Sequence, residues 1–172
     1  MNLQSDDYEL FELAPRFALD SLVLDARWKD LQRQAHPDKF VSEGAAVQRL
    51  AMQWSVRIDE AYQRLKDPLK RAAYLCERHA MPVNAENNTA MPTDFLMQQM
   101  QWRDDLDEAR TVHELERIHA DVHLASKAVF EQLEHALDVE QAYAKAVGHV
   151  RTLMFIQRFA QDVENRLDQI GN

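Results

Sequence analysis

Few residues in this chain have types and spacings suited to chemistry. They are the tripeptide His36-Pro37-Asp38, the histidine pair His119 and His123, and the single cysteine Cys76. A histidine and a carboxylate two positions apart suggest an acid–base pair. No serine, cysteine or second base is placed beside them, however, and an exposed loop lacks the burial that tunes a catalytic group. The same residues suit recognition. Proline restricts the backbone, and the Asp38 carboxylate can pair bidentately with a partner's arginine. A plain helix stop with an Asx-type turn would use them too. His119 and His123 lie one helical turn apart, a spacing metals can use. The chain has no glutamate placed as in His-Glu-x-x-His and no evident third ligand, so no metal is expected. One cysteine excludes an internal disulfide and a cluster held by several thiolates. Cys76 reads as an inert small residue. Neither a cofactor nor an enzymatic activity is expected.

The elements that must position these residues read as helices. Asp7–Leu13 is a short apolar-patterned piece ended by Pro15. Asp20 suits the N-cap of the next helix, in which Leu24, Trp28, Leu31 and Ala35 recur at helical spacing. Pro37 drives His36 out of the helical region and stops it. After Ser42–Gly44 a longer helix carries Val47, Leu50, Trp54, Ile58, Ala61 and Leu65 inward. Asp67-Pro68 ends it and starts a short helix running to about Arg78. Beyond Pro92, Thr93 is placed to cap one helix, Thr111-x-x-Glu114 a second and Asp138-x-x-Gln141 a third. Leu115, Ile118, Val122, Ala125, Val129 and Leu133 form one stripe. Val139, Ala146, Val150, Leu153, Ala160, Val163, Leu167 and Ile170 form another. The fold class is therefore all-α: a helical hairpin with two short helices, then a three-helix bundle. All five prolines precede residue 93. The polar stretch 81–92 reads as a connector between domains at 1–80 and 93–172.

Composition narrows the function classes. The 172 residues are 46% hydrophobic and 28% charged, with a net charge of −9. Residues 1–78 carry a net −1 and residues 79–172 a net −8. Phosphate binding needs a basic surface, so nucleic acid is not an expected partner. The longest apolar run, Ala72–Cys76, is far short of a membrane span, so no membrane is expected. Met1–Asp7 is polar and acidic, unlike a signal or transit peptide. A cytoplasmic location is expected.

The helix bearing Arg27, Lys29 and Arg33, the His36-Pro37-Asp38 loop and Leu65-Lys-Asp-Pro68 before Arg71 and Tyr74 resemble a J-domain, the module that docks on DnaK-class ATPase chaperones. Over nearly the whole chain, Tyr8-Glu-Leu-Phe-Glu-Leu13, Asp30–Phe40 and Phe95-Leu-Met-Gln-Gln-Met100 are similar to the HscB family, J-proteins of iron–sulfur cluster assembly. Two positions depart from that pattern. Ala35 stands where an aromatic usually precedes the histidine, and Gln101 stands where the family often has an acid. The absence of a cysteine-rich extension is like the bacterial form. The resemblance implies a non-catalytic co-chaperone that binds an IscU-type scaffold, delivers it to an HscA-type chaperone and stimulates that chaperone's ATPase. It assigns His36, Pro37, Asp38, Lys39, Arg27, Lys29 and Arg33 to the chaperone.

The helix from Thr93 to Ala109 has two apolar faces. Phe95, Gln99, Trp102, Leu106 and Ala109 fall near one line, the expected core. Met97, Asp104 and Glu108 lie opposite, with Met100 and Gln101 flanking and Leu96 at the shoulder. Phe155 points about 200° from Leu153 at 100° per residue, away from the expected core of the last helix. An apolar patch with an acidic rim suits a partner. Packing on the N-terminal domain would also use it, and Phe95 and Leu96 exchange roles on a slight helix rotation. The resemblance implies that Leu96, Met97, Met100, Gln101, Asp104, Glu108 and Phe155 bind the scaffold. Two rivals remain: a J-protein delivering unfolded clients generally, and a small hydrolase using His36 and Asp38.

Overall fold

The computed structural model describes residues 2–84 and 90–171. Residues 85–89 of the expected connector lie outside the described residues. The architecture is all-α, and the chain divides into two compact units, Met1–Leu75 and Cys76–Asn172.

The first unit is built on an antiparallel hairpin of α2 (Ser21–Ala35) and α3 (Ala45–Lys66), with α1 (Asp7–Leu10) before it. The Asp20 carboxylate caps α2 by accepting from the Leu22 amide at 3.0 Å. The expected first piece ends early, at Leu10, where Leu13 N–H bonds back to the Tyr8 carbonyl. Residues Pro37–Glu43 form a 3-10 turn that periodicity did not show. Gly44, at φ +94°, takes the left-handed conformation that admits the chain to α3. The α4 helix (Pro68–Arg78) follows after one residue.

Leu24, Ile58, Ala61 and Leu65 are buried as expected, but Leu50 stays 48% exposed. It borders an open cleft of about 310 Å³ lined also by Leu31, Ala35, Phe40 and Trp54. The methyl group of Ala35 leaves this space open beside the loop. Elsewhere the unit is pinned by ions. Asp7 is fully buried and meets Arg57 at 2.8 Å and Arg64 at 3.2 Å. Buried Arg71 donates to the carbonyls of Phe17 and Leu65. Tyr62 stacks on Trp28 and donates to Asp25 at 2.6 Å, tying α3 to α2. Lys66 donates to that hydroxyl, which holds its ammonium above the usual lysine range.

In the second unit α5 (Thr93–Glu108), α6 (Val112–Glu134) and α7 (Tyr143–Gly171) make the bundle. The Thr111 and Glu114 capping box forms at α6. The other two expected caps do not. Pro92 occupies the N-cap of α5, leaving Thr93 inside the first turn without a capping bond. Asp138 and Gln141 belong to the end of the preceding helix. There His135–Glu140 forms a π-turn, Gln141 adopts left-handed φ 52°, and Ala142 N–H returns to Ala136. Val139 is consequently 69% exposed rather than part of the core stripe.

The α7 core is also wider than one stripe. Ile156 and Phe159 are buried beside Val150, Leu153 and Val163. Large rings from α5 cover that second side. Trp102 stacks on Phe159 at 5.6 Å, and Phe95 meets Phe155 edge-on at 5.6 Å. A helix contacted from two directions buries two faces, which a single-stripe reading cannot show. Arg151 holds the carbonyls of Val83 and Ala90 against α7. Cys76 is buried, and desolvation pushes its thiol up to about 11.

Candidate partner-binding sites

The first site is the turn between α2 and α3. Ala35 closes α2, and His36 at φ −59°, ψ 129° turns the chain. Pro37 then opens the 3-10 turn with its fixed φ. The Asp38 amide donates to His36 Nδ1 at 3.2 Å. In the neutral ring this acceptance places the proton on Nε2. The Asp38 carboxylate lies 3.6 Å from Nδ1, and the two side chains are 57% and 89% exposed. The turn therefore displays a donor and a carboxylate on a short, proline-fixed backbone.

The basic residues of α2 differ in what they are free to do. Arg27 donates to the carbonyls of Phe11 and Glu12, so it ties α2 to the turn after α1. Arg33 pairs with Asp30 at 3.1 Å on an exposed surface, a contact worth little. Lys29 and Lys39 are exposed, and their ammonium groups have no ion pair among the described residues. The positive charge available to a partner thus comes from Lys29, Arg33 and Lys39, while Arg27 is an anchor.

The second site lies on α5. Leu96 is 43%, Met97 73% and Met100 69% exposed, with Gln101, Asp104 and Glu108 exposed beside them. Phe95 is half-buried in the ring cluster, so the structure selects Leu96 as the outward residue of the pair. Phe155 differs from the expectation of a ring without a core. It is half-buried between Phe95 and Phe159, with the Arg103 guanidinium 5.6 Å from its centre. Arg103 also covers Phe159 and pairs with Asp162 at 3.3 Å. Sequence reasoning passed over Arg103. Its one signal was being the sole basic residue of α5.

His119 does not converge with His123 on an ion. Its Nε2 lies 3.2 Å from Glu164 on α7. Among the described residues no group of three or more histidine, cysteine or acidic side chains has metal-binding geometry. No helix is long and apolar enough to cross a membrane among those residues.

Residues 91–164 match a family model described as the HSCB C-terminal oligomerisation domain. The chain is 43% identical to a co-chaperone protein HscB homolog of Burkholderia multivorans, over 99% of this chain and 98% of that one. It is 41% identical to the homolog of Paraburkholderia xenovorans, over 99% of both chains. Among solved structures, the chaperone HscB from Vibrio cholerae superposes with a TM-score of 0.81 at 30% identity, covering 96% of this chain and 99% of that one. The human co-chaperone protein HscB superposes with a TM-score of 0.83 over 98% of this chain and 83% of that one. At 23% identity it speaks to the fold alone. With this architecture of an N-terminal J-domain and a C-terminal helical bundle, and with such identity along nearly its full length, the chain belongs to the HscB co-chaperone family.

Proposed function

We propose that this protein holds an IscU-type iron–sulfur scaffold on the outer face of α5 and presents it to an HscA-type ATPase chaperone. The His36-Pro37-Asp38 turn then engages that chaperone and favours its hydrolysis-competent state. The observation that carries this reading is the pairing of two exposed recognition surfaces in separate units. One is a polar turn with imidazole and carboxylate outward; the other is the Leu96, Met97 and Met100 patch with an acidic rim. Tethering raises the cargo's effective concentration at the chaperone. Preferential binding to one chaperone conformation suffices to shift its population. Lys29, Arg33 and Lys39 steer the encounter with an acidic surface. The co-chaperone itself performs no chemistry, and it works in the cytoplasm.

The test is a steady-state ATPase assay of an HscA-type chaperone, with and without this protein and an IscU-type scaffold. Stimulation is expected from the parent chain and its loss from His36→Gln, while scaffold binding by His36→Gln persists. Unchanged ATP use with the parent, or equal stimulation by the variant, would overturn the reading. Binding to many denatured proteins, with no preference for the folded scaffold, would favour general client delivery.

A second reading follows from the matched family's description as an oligomerisation domain. The exposed α5 face would then pair with a second copy of the chain. Sedimentation of the parent against Met97→Ala/Met100→Ala separates the two: a concentration-dependent dimer lost in the variant supports self-association.

A further inference from the structure

Seven methionines occur in this chain, and they are unequally placed. Met97 and Met100 are 73% and 69% exposed, ahead of Met52 at 54% and Met81 at 41%. Met91 and Met154 are half-buried. Met97 and Met100 stand three residues apart on α5, so their thioethers share one face. The thiol is placed differently. Cys76 is buried, and with its pKa raised to about 11 it holds almost no thiolate at neutral pH. A cysteine attacks peroxide as its thiolate, whereas a methionine does so as a neutral thioether. Among the described residues, the peroxide-reactive side chains that solvent reaches most freely are therefore those of Met97 and Met100.

We propose that Met97 and Met100 form an oxidative modification site that weakens cargo binding reversibly. The reactant is hydrogen peroxide. A lone pair on the methionine sulfur attacks the peroxide, the O–O bond breaks, an S–O bond forms, and water leaves. Sulfur loses two electrons and peroxide gains them. Reversal needs a dithiol-dependent sulfoxide reductase: the S–O oxygen leaves as water while the dithiol becomes a disulfide. The consequence follows from polarity. A sulfoxide is a strong hydrogen-bond acceptor, and burying it under an apolar partner surface without a donor carries a desolvation penalty. Two such groups one turn apart, beside Leu96, convert the centre of the patch from apolar to polar. The fold should tolerate this, because both side chains already face water.

The proposal rests on the scaffold-binding reading, and the experiment separates the two. Full-length protein is treated with graded hydrogen peroxide and the oxidised positions are mapped by peptide mass spectrometry. Binding to an IscU-type scaffold is then measured by calorimetry against an untreated sample of the same protein. Met97 and Met100 should oxidise before Met91 and Met154, and affinity should fall at least tenfold, with recovery after reductase and dithiol. In Met97→Leu/Met100→Leu the ratio of treated to untreated affinity should stay near one, whatever the leucines do to the untreated value. In Met52→Leu that ratio should match the parent. An untreated chain that binds no scaffold defeats the scaffold-binding reading and, with it, the effect on cargo. An untreated chain that binds, and binds equally well with both sulfoxides formed, defeats the modification proposal alone. So does equal peroxide sensitivity in the Met97→Leu/Met100→Leu protein.

Discussion

Replacing Leu96, Met97 and Met100 together by alanine should separate binding from folding, and the structure sets both magnitudes. Fully burying a leucine or methionine side chain contributes about 1.5–3 kcal/mol relative to leaving it exposed. Met97 and Met100 have roughly 70% of their surface still in water, and Leu96 has 43%. A partner that covers them can therefore gain about 1–2 kcal/mol from each methionine and about 1 kcal/mol from the leucine. Together they amount to roughly 3–5 kcal/mol, or about two to three and a half decades in Kd at about 1.4 kcal/mol per tenfold. The same exposure means the isolated fold loses little. Exposed substitutions typically stay within about 0.5 kcal/mol each, and alanine suits a helix. Phe155→Ala is the internal contrast. It removes ring contacts with Phe95 and Phe159 and the Arg103 cation–π contact, together about 2–4 kcal/mol of stability. Its Tm should drop on the order of 10 °C. Calorimetric titration with a folded scaffold, paired with thermal scans of both variants, gives the two readouts. If the triple variant unfolds as early as Phe155→Ala, the patch is core. If it folds normally and binds as tightly as the parent, the cargo sits elsewhere.

Asp7→Ala should cost about 3 kcal/mol, because it leaves the Arg57 and Arg64 guanidinium groups without their buried acid. A urea midpoint barely changed from the parent's would show the pair to be dispensable. His149 is buried, and desolvation, aided by the Lys145 ammonium, holds its imidazole below the ordinary 6.5, with Glu140 opposing. The unfolded chain therefore takes up a proton near pH 6.5 that the folded chain refuses. Stability should fall as pH drops through 6.5 towards the lower folded value. His149→Gln should flatten that part of a stability-versus-pH series; an identical slope would refute the assignment. Raising salt should slow docking to the chaperone more than capture of the scaffold, since Lys29, Arg33 and Lys39 are exposed charges. Stopped-flow association rates at two ionic strengths decide it, and the reverse ranking would remove these residues from the docking surface.

Some of this was legible in residue order because local physics set it. Pro37 had to end α2, Asp20 and Thr111 had to cap their helices, and Pro68 had to begin α4. Met97 and Met100 were legible as outward because helical geometry alone places Met97 opposite Trp102 and Leu106, with Met100 on its flank. The misreadings arose where distant chain overrides local pattern. Asp138-x-x-Gln141 has the spacing of a capping box, yet α6 runs on into a π-turn and uses those residues to finish. Phe155 looked coreless because its helix was assigned one buried side, whereas Phe95 and Trp102 supply a second. The buried role of Asp7 had no local signal, since its partners Arg57 and Arg64 lie fifty residues on or more.

Arg27 illustrates what sequence could not divide. Arg27, Lys29 and Arg33 look alike as a run of positive charge on one helix. In the fold they separate: Arg27 holds two carbonyls of the preceding turn, Arg33 shares an exposed pair, and Lys29 is unengaged among the described residues. A charge tied to backbone carbonyls fixes geometry, while a charge in water governs encounter and salt response. Arg27→Ala should therefore lower stability and weaken every function of the turn with it, whereas Lys29→Ala should change only the association rate. Equal thermal stability of these two variants would mean that Arg27 too is surface charge, and that the α2 face presents one more cation to its partner than the fold indicates.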